Sequence, residues 1–377
     1  MKILCVVGTR PEIIKTAPVV LELRRARGRA EVKVCVTGQH REMLDQMLKL
    51  FDIRPEYDLD VMRAGQSLAD LSARMLTGLQ PVVAEEKPDW MLVQGDTTTT
   101  AIAALVAFYN RVRVGHVEAG LRTGNKLEPF PEEMNRAVVD RLADLHFVPT
   151  EAARQNLLRE GIEPASIRLT GNTVVDALRW VSALPSPPLV AALIPDTPAQ
   201  IVLVTMHRRE NFGRPMESVC AALRELAGRY RDRLHIVYPL HLNPDAQSSA
   251  RRILDRVPNV SLIPPLDYVS LVHLMKRAHL VLTDSGGIQE EAPALGIPVL
   301  VLREVTERPE GVASGVAKLV GTDRERVVAE TVRILEDPVL HRRMARRLSL
   351  YGDGHAAERI VDALLNARST SGEPAAP

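Results

Sequence analysis

The sequence predicts an α/β protein of two doubly wound domains, and three observations support this fold class. Short apolar runs of strand length alternate with longer amphipathic segments along the whole chain, which is typical of βαβ units and a parallel sheet. A proline-rich stretch divides this alternation into two similar halves. The 377 residues suffice for two domains of the usual ~100 to 200 residues, each with a full core. Because such sheets bind ligands beyond the carboxyl ends of their strands, we expect the site in a cleft that the two domains face.

The first domain is predicted to span residues 1–184 and to begin with the strand KILCVV. This apolar opening stops at Gly8 and lacks the basic region and long apolar region of a signal peptide, so we expect it to be part of the fold. Helical segments fill the gaps between strands. The predicted strands of this domain are 2–7, 31–37, 89–95, 113–119, 145–149 and 166–170.

A linker at 185–199 is predicted to lead into a second domain at 200–350. Five prolines lie between residues 185 and 198, and the segment has no helical or alternating period that would bury a face. The predicted strands of the second domain are 201–206, 234–239, 260–263, 279–284, 297–302 and 316–320.

The end of the chain is predicted to contain one more helix. This helix, at 355–368, follows a Gly-rich turn and is expected to join the first domain. The remaining residues, 369–377, have a composition typical of disorder.

Composition limits the kinds of partner. Lys and Arg number 48 against 47 Asp and Glu, a net charge of +1, so no global field attracts nucleic acid or an acidic membrane. No apolar stretch reaches the ~18 to 20 residues that cross a bilayer. We therefore expect a cytoplasmic protein with a small-molecule partner.

The three cysteines, Cys5, Cys35 and Cys220, are interpreted as core residues. The alternative is a redox pair between Cys5 and Cys35.

One loop in each domain has the composition of an anion-binding site. The first strand ends in GTRPE, and Arg10 and Lys15 form a basic pair at a helix N-terminus, which suits a diphosphate. An ordinary capped helix start with solvated charges explains this pair equally well. In the second domain the strand HLVLTD runs into Ser285-Gly286-Gly287, where two glycines let the backbone approach a phosphate closely.

Glu290 and Glu291 follow this glycine turn within the first turn of a helix. Stabilisation of the helix dipole explains carboxylates at such positions. The alternative, which the preceding Gly-Gly turn favours, is a carboxylate that bridges ribose hydroxyls.

Carboxylates also follow successive strands of the first domain. Asp96 and Glu118 each close a strand, and Glu132 and Glu133 follow Pro131 at the next helix start. Helix capping explains any one of them. Carboxylates gathered at one sheet edge, however, come to have different pKa values, so that one is a proton acceptor and another a proton donor. His207 ends the first strand of the second domain beside two arginines and is a candidate to hold or protonate a leaving diphosphate, although a lone histidine is more often a packing residue. His241, which ends the next strand, is a candidate to line the same cleft.

The sequence predicts no metal and no redox cofactor. No Gly-x-Gly-x-x-Gly follows a strand, which argues against nicotinamide or flavin, and Gly-x-Ser-x-Gly is absent too. Metal-binding spacings such as His-x-x-x-His and Cys-x-x-Cys are missing, and the one Asp-x-Asp, at residues 58–60, lies outside any clear strand end.

Eight segments together closely resemble the bacterial non-hydrolysing UDP-N-acetylglucosamine 2-epimerases, in the order and spacing of that family. They are GTRPEIIK, QGDTTTT, GHVEAGLRTGN, PFPEEMNR, HRRENFG, YPLHLNP, TDSGGIQEEAP and TERPEGV. The resemblance implies a glycosyltransferase-B-like fold and a homodimer. It also implies reversible conversion of UDP-N-acetylglucosamine to UDP-N-acetylmannosamine, by anti elimination of UDP to 2-acetamidoglucal and re-addition. The product would supply N-acetylmannosamine units for cell-surface polysaccharide.

The resemblance also implies roles for individual residues. Asp96, Glu118 and Glu132 are implied to be acid/base residues, and His207 to assist the leaving group. The implied substrate contacts are Arg10, Lys15, Arg136, His241, Ser285, Gly286, Gly287, Glu291 and Arg308. In the family, Gln39, His40 and Met43, together with Arg208, line a second site at which UDP-N-acetylglucosamine activates its own conversion; a polar helix start is the plainer interpretation of Gln39 to Met43.

Three other functions stay open at this point. A retaining glycosyltransferase of the same fold would also use a Gly-rich phosphate turn and a ribose-binding Glu, but it would need an acceptor. A hydrolysing epimerase would release UDP and free N-acetylmannosamine. A regulator that binds a nucleotide sugar without turnover would not need so many carboxylates.

Overall fold

The computed structural model describes residues 1–38, 41–63, 65–194, 199–241 and 243–367. The chain divides into two compact units. One consists of Met1–Ala177 with the segment from Tyr351 onward, and the other of Leu178–Leu350. Each unit contains one parallel sheet with helices on both faces, so the predicted fold class of two Rossmann-like doubly wound domains is confirmed.

The sheet of the first unit has seven parallel strands in the order β3-β2-β1-β4-β5-β6-β7. They are β1 (Lys2–Val7), β2 (Glu31–Val36), β3 (Tyr57–Asp58), β4 (Trp90–Gln94), β5 (Arg113–Val117), β6 (Leu145–Val148) and β7 (Ile167–Leu169). The direction in which strands are added reverses between β1 and β4, which are paired at the centre. The loops that follow β1 and β4 therefore leave the sheet at its topological switch point, where ligands of such folds bind.

Helices cover both faces of this sheet. They are α1 (Arg10–Arg25), α2 (Arg41–Leu50), α3 (Leu68–Glu86), α4 (Thr98–Tyr109), α5 (Glu132–Leu142), α6 (Glu151–Arg159) and α7 (Thr173–Ser182). Side chains alternate along each strand, so Leu4 and Val6 of β1 pack with Leu79 of α3 and Ala103 of α4 in one buried cluster. The boundary between the two compact units lies after Ala177, within α7, whereas the first domain was predicted to end at residue 184.

The sheet of the second unit has six parallel strands in the order β10-β9-β8-β11-β12-β13. They are β8 (Gln200–Thr205), β9 (Leu234–Pro239), β10 (Val260–Ile263), β11 (Leu280–Thr283), β12 (Val299–Val301) and β13 (Ala317–Leu319). The helices are α8 (Pro188–Leu193), α9 (Arg214–Arg229), α10 (Pro244–Leu254), α11 (Tyr268–Arg277), α12 (Ile288–Leu295), α13 (Pro309–Ala313), α14 (Arg324–Glu336) and α15 (Pro338–Met344). Val202 and Val204 of β8 face one core cluster, whereas Ile201 and Leu203 face another.

The last helix, α16 (Ala356–Asn366), belongs to the first unit. Its Ala356 and Ala357 N–H groups donate to the Asp176 carboxylate, at 3.2 and 2.8 Å. Ile360, Val361 and Leu364 of this helix are buried. The helix therefore completes the core of the first unit. The predicted tail at 369–377 lies outside the described residues.

Two predictions about elements were wrong. The edge strand β3 was not predicted, because two residues are too few to show alternation, and Asp58 of the Asp-x-Asp sequence closes it. The segment at 185–199 was predicted to bury no face, but α8 lies within it. Pro188 is the first residue of α8, a position at which proline costs no hydrogen bond, and Val190 is buried in a core cluster of the second unit.

The interpretation of the cysteines as core residues is confirmed. Cys5, Cys35 and Cys220 are buried and form no disulfide. Cys35 lies opposite Val6 in the strand register and shares its buried cluster, so Cys5, the next residue along β1, points to the other face. Burial raises the pKa of all three thiols to about 12. The alternative of a redox pair was therefore wrong. Among the described residues, no helix is both long and apolar enough to cross a membrane.

Candidate active site

In the first unit, predicted site residues follow β1, β4 and β5 at the carboxyl edge of the sheet. Gly8 lies where β1 ends, and any β-carbon there would collide with the hydroxyls of Thr37 and Thr99. The chain therefore needs glycine to turn closely past β2 and α4 and to present Arg10, the first residue of α1.

Glu118, directly after β5, is held by three side chains. Lys15 Nζ lies 2.5 Å from Oε1 and 2.7 Å from Oε2, Asn172 Nδ2 donates to Oε1 at 2.8 Å, and Gln94 Nε2 donates to Oε2. Both members of the ion pair are buried, with side-chain exposures of 9% for Lys15 and 5% for Glu118. Lys15 was predicted to contact an anionic substrate, and here its charge is paired with Glu118.

Asp96, at the end of the neighbouring strand β4, is more accessible. Its side chain is 31% exposed, and its Oδ2 accepts a hydrogen bond from Nε of the buried Arg136 at 2.9 Å. Arg136 Nη1 also donates to Glu133 Oε2 at 2.8 Å. Glu133 in turn accepts from the N–H groups of Thr123 and Gly124, both at 3.0 Å. Arg136, predicted as a substrate contact, thus connects Asp96 to α5.

The structure brings the predicted carboxylates to one edge. A β-carbon on Gly95, the residue before Asp96, would lie 3.6 Å from Glu118 Oε2. Asn135 Nδ2 donates to the Asp96 carbonyl at 2.9 Å and ties that loop to the start of α5. Glu132, partly buried, is the first residue of α5, where the helix dipole favours a negative charge.

Sequence reasoning missed the role of Glu12 in this site. Its buried carboxylate accepts from the Gly8 and Thr9 N–H groups at 2.9 and 2.6 Å, and from the Thr97 and Thr100 hydroxyls at 2.6 and 3.1 Å. Burial raises the pKa of Glu12, and these donors oppose the rise. Glu12 therefore ties the loop after β1 to the loop after β4. The threonine run that follows Asp96 was the available signal.

In the second unit, the buried Asp284 organises the loop after β8. It follows β11 and accepts from the His207 and Arg208 N–H groups, each at 3.1 Å, and from Asn211 Nδ2 at 2.9 Å. Burial alone would raise the pKa of Asp284, but these donors and the His207 ring, 3.1 Å away, lower it. The structure thus fixes His207, whose side chain is 47% exposed, beside the glycine turn. Asp284 was missed because its neighbour in sequence, Ser285, starts the more evident motif.

A cluster of arginines surrounds Glu307 next to that turn. Arg308 Nη1 lies 2.5 Å from Glu307 Oε1, Arg303 Nη1 lies 2.8 Å from Oε2, and Arg208 Nη2 lies 3.4 Å from Oε1. Burial alone would raise the pKa of Glu307, but the three guanidinium groups hold it well below its usual range. Sequence reasoning missed Glu307 and Arg303.

The glycine turn itself packs against one of these arginines. A β-carbon on Gly286 would lie 2.7 Å from Arg308 Nη1, so the absence of a side chain lets the guanidinium lie on the turn. Arg308 Nε also pairs with Glu290 Oε1 at 2.5 Å. Gly287 precedes α12, whose N-terminus faces the same loop. A cationic side chain and a helix N-terminus at one turn suit an anionic group.

The other predicted residues of the second unit lie around this turn. Glu291 accepts from the Tyr268 hydroxyl at 2.5 Å and is buried. The Ser285 N–H donates to Thr283 Oγ1 at 2.9 Å. The rings of His241 and His207 lie 6.5 Å apart at an interplanar angle of 28°. Of the predicted second site, Gln39, His40 and the Met43 side chain lie outside the described residues, whereas Arg208 lies in the arginine cluster.

Comparisons with known proteins agree with these features. Residues 22–365 match a family described as UDP-N-acetylglucosamine 2-epimerase. The chain is 53% identical over 375 residues to the UDP-N-acetylglucosamine 2-epimerase of Escherichia coli K12, covering 98% of this chain and 99% of the relative.

Two solved structures show the same fold. UDP-GlcNAc 2-epimerase from Neisseria meningitidis, bound to UDP-GlcNAc, is 46% identical with a TM-score of 0.93, over 97% of this chain and 100% of that one. The sucrose-phosphate synthase of Thermosynechococcus elongatus has a TM-score of 0.66 over 98% of this chain and 100% of that one. Because the identity is 13%, this second similarity supports the fold alone, and it agrees with the glycosyltransferase-B-like class.

Proposed function

The chain belongs to the UDP-N-acetylglucosamine 2-epimerase family, and on this premise we propose that it is a non-hydrolysing epimerase. It would interconvert UDP-N-acetylglucosamine and UDP-N-acetylmannosamine. The observation that carries the proposal is the group of carboxylates at the carboxyl edge of the first sheet, with Asp96 exposed beside Arg136 and Glu118 held by Lys15. Resemblance supports a cytoplasmic location and a supply of N-acetylmannosamine units to cell-surface polysaccharide.

The chemistry needs a base and a site for a leaving diphosphate. A carboxylate takes the C2 proton while the C1–O bond to UDP breaks, which forms 2-acetamidoglucal; UDP then re-adds at C1 as a proton returns to C2 on the other face. Asp96, Glu118 and Glu132 are the proposed acid/base residues. The departing diphosphate gains negative charge, which the Arg308 guanidinium, the N-terminus of α12 and the nearby His207 are suited to receive.

The remaining substrate contacts are proposed by resemblance. On the second unit, Glu291 would bind the ribose, and Ser285, Gly286, Gly287 and His241 would contact the nucleotide. On the first unit, Arg10, Lys15 and Arg136 would contact the rest of the substrate.

The proposed function is tested by incubating the pure protein with UDP-N-acetylglucosamine in deuterated buffer that contains EDTA, with NMR detection of the C1 and C2 protons. UDP-N-acetylmannosamine with deuterium at C2 is the expected product. Free N-acetylmannosamine would instead indicate a hydrolysing enzyme. Unchanged, protonated substrate would contradict the epimerase proposal and call for a screen of glycosyl acceptors.

We also propose a homodimer and activation by UDP-N-acetylglucosamine. Large apolar side chains at the end of α4 and along α5 support the dimer, because Phe108 and Tyr109 are 59% and 61% exposed, and Met134 and Val138 are 46% and 44% exposed. Light scattering after gel filtration measures the molar mass.

For activation by UDP-N-acetylglucosamine, we expect the rate to depend sigmoidally on substrate concentration, and this dependence to become hyperbolic in Gln39→Ala. A hyperbolic dependence for the unmodified protein would contradict the proposal.

A further inference from the structure

His116 lies in β5, two residues before Glu118, and its ring joins two parts of the first unit. Its Nδ1 lies 2.6 Å from Asp140 Oδ1 of α5, and its Nε2 lies 2.7 Å from the carbonyl oxygen of Gly95. The ring is completely buried. No role for this residue follows from the proposed acid/base chemistry, since its two ring nitrogens face Asp140 and the Gly95 carbonyl.

The contact with Gly95 defines which ring nitrogen carries a proton. The Gly95 carbonyl can only accept a hydrogen bond, so Nε2 donates. The other ring nitrogen, Nδ1, faces the Asp140 carboxylate. Asp140 Oδ2 also accepts from Arg122 Nη2 at 2.7 Å, and Arg122 in turn pairs with Glu160.

Through Gly95, this ring acts on the turn that carries Asp96. Gly95 has a φ of +76°, a conformation that glycine adopts readily. Its N–H donates to the Val117 carbonyl at 2.9 Å, and its carbonyl accepts from His116, so β5 holds both ends of the residue. If the His116 bond is lost, the peptide between Gly95 and Asp96 loses the donor to its carbonyl, and the contacts of Asp96 with Asn135 and Arg136 remain to hold the turn. We expect the Asp96 carboxylate to shift as a result.

We propose that His116 is a positioning residue for the epimerisation, because its Nε2–H group holds the Gly95 carbonyl and thereby sets the orientation of Asp96. This inference rests on the proposed function. It distinguishes His116 from Arg136, which contacts the Asp96 carboxylate directly.

Two substitutions separate positioning from simple stabilisation. The amide nitrogen of glutamine can take the place of Nε2 and keep the bond to Gly95, whereas that of asparagine takes the place of Nδ1 and keeps only the bond to Asp140. We expect His116→Asn to lower kcat about ten-fold or more and His116→Gln to stay within about three-fold of the unmodified enzyme, because small displacements of a reacting group are costly. The KM and the Kd for UDP should be unchanged in both. Equal losses of kcat in the two variants, or a loss confined to thermal stability, would overturn the proposal.

A measurement on the unmodified protein does not depend on how the variants fold. In protein labelled with ¹⁵N-histidine, the signals of His116 are those missing from the His116→Gln spectrum, and they should show a protonated Nε2 at neutral pH. An unprotonated Nε2 would overturn the proposal. The unmodified enzyme is assayed in parallel: if it does not epimerise, the proposed function fails, whereas an active enzyme with equal losses in the two variants contradicts only the role of His116.

Discussion

Asp96 and Glu118 end neighbouring strands, but their side chains have different surroundings. Glu118 is buried and accepts hydrogen bonds from Lys15, Gln94 and Asn172, whereas nearly a third of the Asp96 side chain is exposed. Of these two carboxylates, Asp96 is therefore the more accessible, and Glu118 is the one whose position is more tightly set.

We expect Asp96→Asn and Glu118→Gln each to lower kcat about 10²-fold or more, because an amide cannot accept the C2 proton. The Kd for UDP, measured by calorimetry, should change little, since the proposed UDP contacts lie in the second unit. Asp232→Asn, at an exposed position, serves as the control. Near-normal rates in both variants would contradict the assignment of these carboxylates.

Asp140 should make stability depend on pH. Its pKa in the folded protein, about 2, lies below the usual value of 3.8, so the unfolded chain binds more protons. The resulting stabilisation, about 2 kcal/mol, is complete above the unfolded pKa and is lost as the pH falls from about 4 toward 2. In urea titrations, Asp140→Asn should lower the free energy of unfolding most near neutral pH. The difference in this free energy between the variant and the unmodified protein should become smaller toward pH 3. A difference that does not depend on pH would contradict this account.

At the scale of elements, the proposed site residues of both units lie on the loops that follow parallel strands and on the early turns of the helices after those loops. The residues after β1, β4 and β5 include carboxylates and cations. The turn between β11 and α12 has the N-terminus of α12 on one side, and Arg308, from the loop before α13, packs on it. In the second unit, the strands contribute buried apolar residues to clusters on two faces of the sheet, which leaves the carboxyl edge for the polar residues of the proposed site.

The close packing of the turn at Gly286 against Arg308 can be tested by an alanine substitution, which adds one methyl group. In Gly286→Ala the new β-carbon would displace the Arg308 guanidinium, and we expect UDP to bind about ten-fold more weakly, or about 1.4 kcal/mol. Gly228→Ala is a matched control in the same unit, because a β-carbon there meets nothing within 4 Å. Calorimetry with UDP measures both, and equal affinities would argue against this turn as the nucleotide site.

At the scale of the whole molecule, the chain leaves the first unit, builds the second and returns to the first through α16. The integrity of the first unit therefore depends on residues at the far end of the sequence. The proline-rich segment predicted as a linker lies within the second unit, which begins at Leu178, and its composition did not reveal α8, whose single buried Val190 gives no periodic signal.

We expect Leu364→Ala to destabilise the protein by about 2 to 5 kcal/mol, because Leu364 of α16 is completely buried and alanine leaves a cavity. Leu189→Ala is the control, since Leu189 is 48% exposed. Urea unfolding measures both. Similar, small effects of the two substitutions would show that α16 contributes little to the core.

The sequence by itself determined the two doubly wound domains, because apolar periodicity and strand length are local properties of the chain. It also indicated which loops carry glycine and charged residues, since those loops follow predicted strands. Tertiary structure alone decided which charged groups meet. Lys15 and Glu118 are 103 residues apart, and Arg208 and Glu307 are 99 apart. Such pairs form only after the order of strands is set, which no local pattern specifies. For this reason Asp284, Glu307 and the ring of His116 acquire their roles from strand order and burial rather than from their neighbours in sequence.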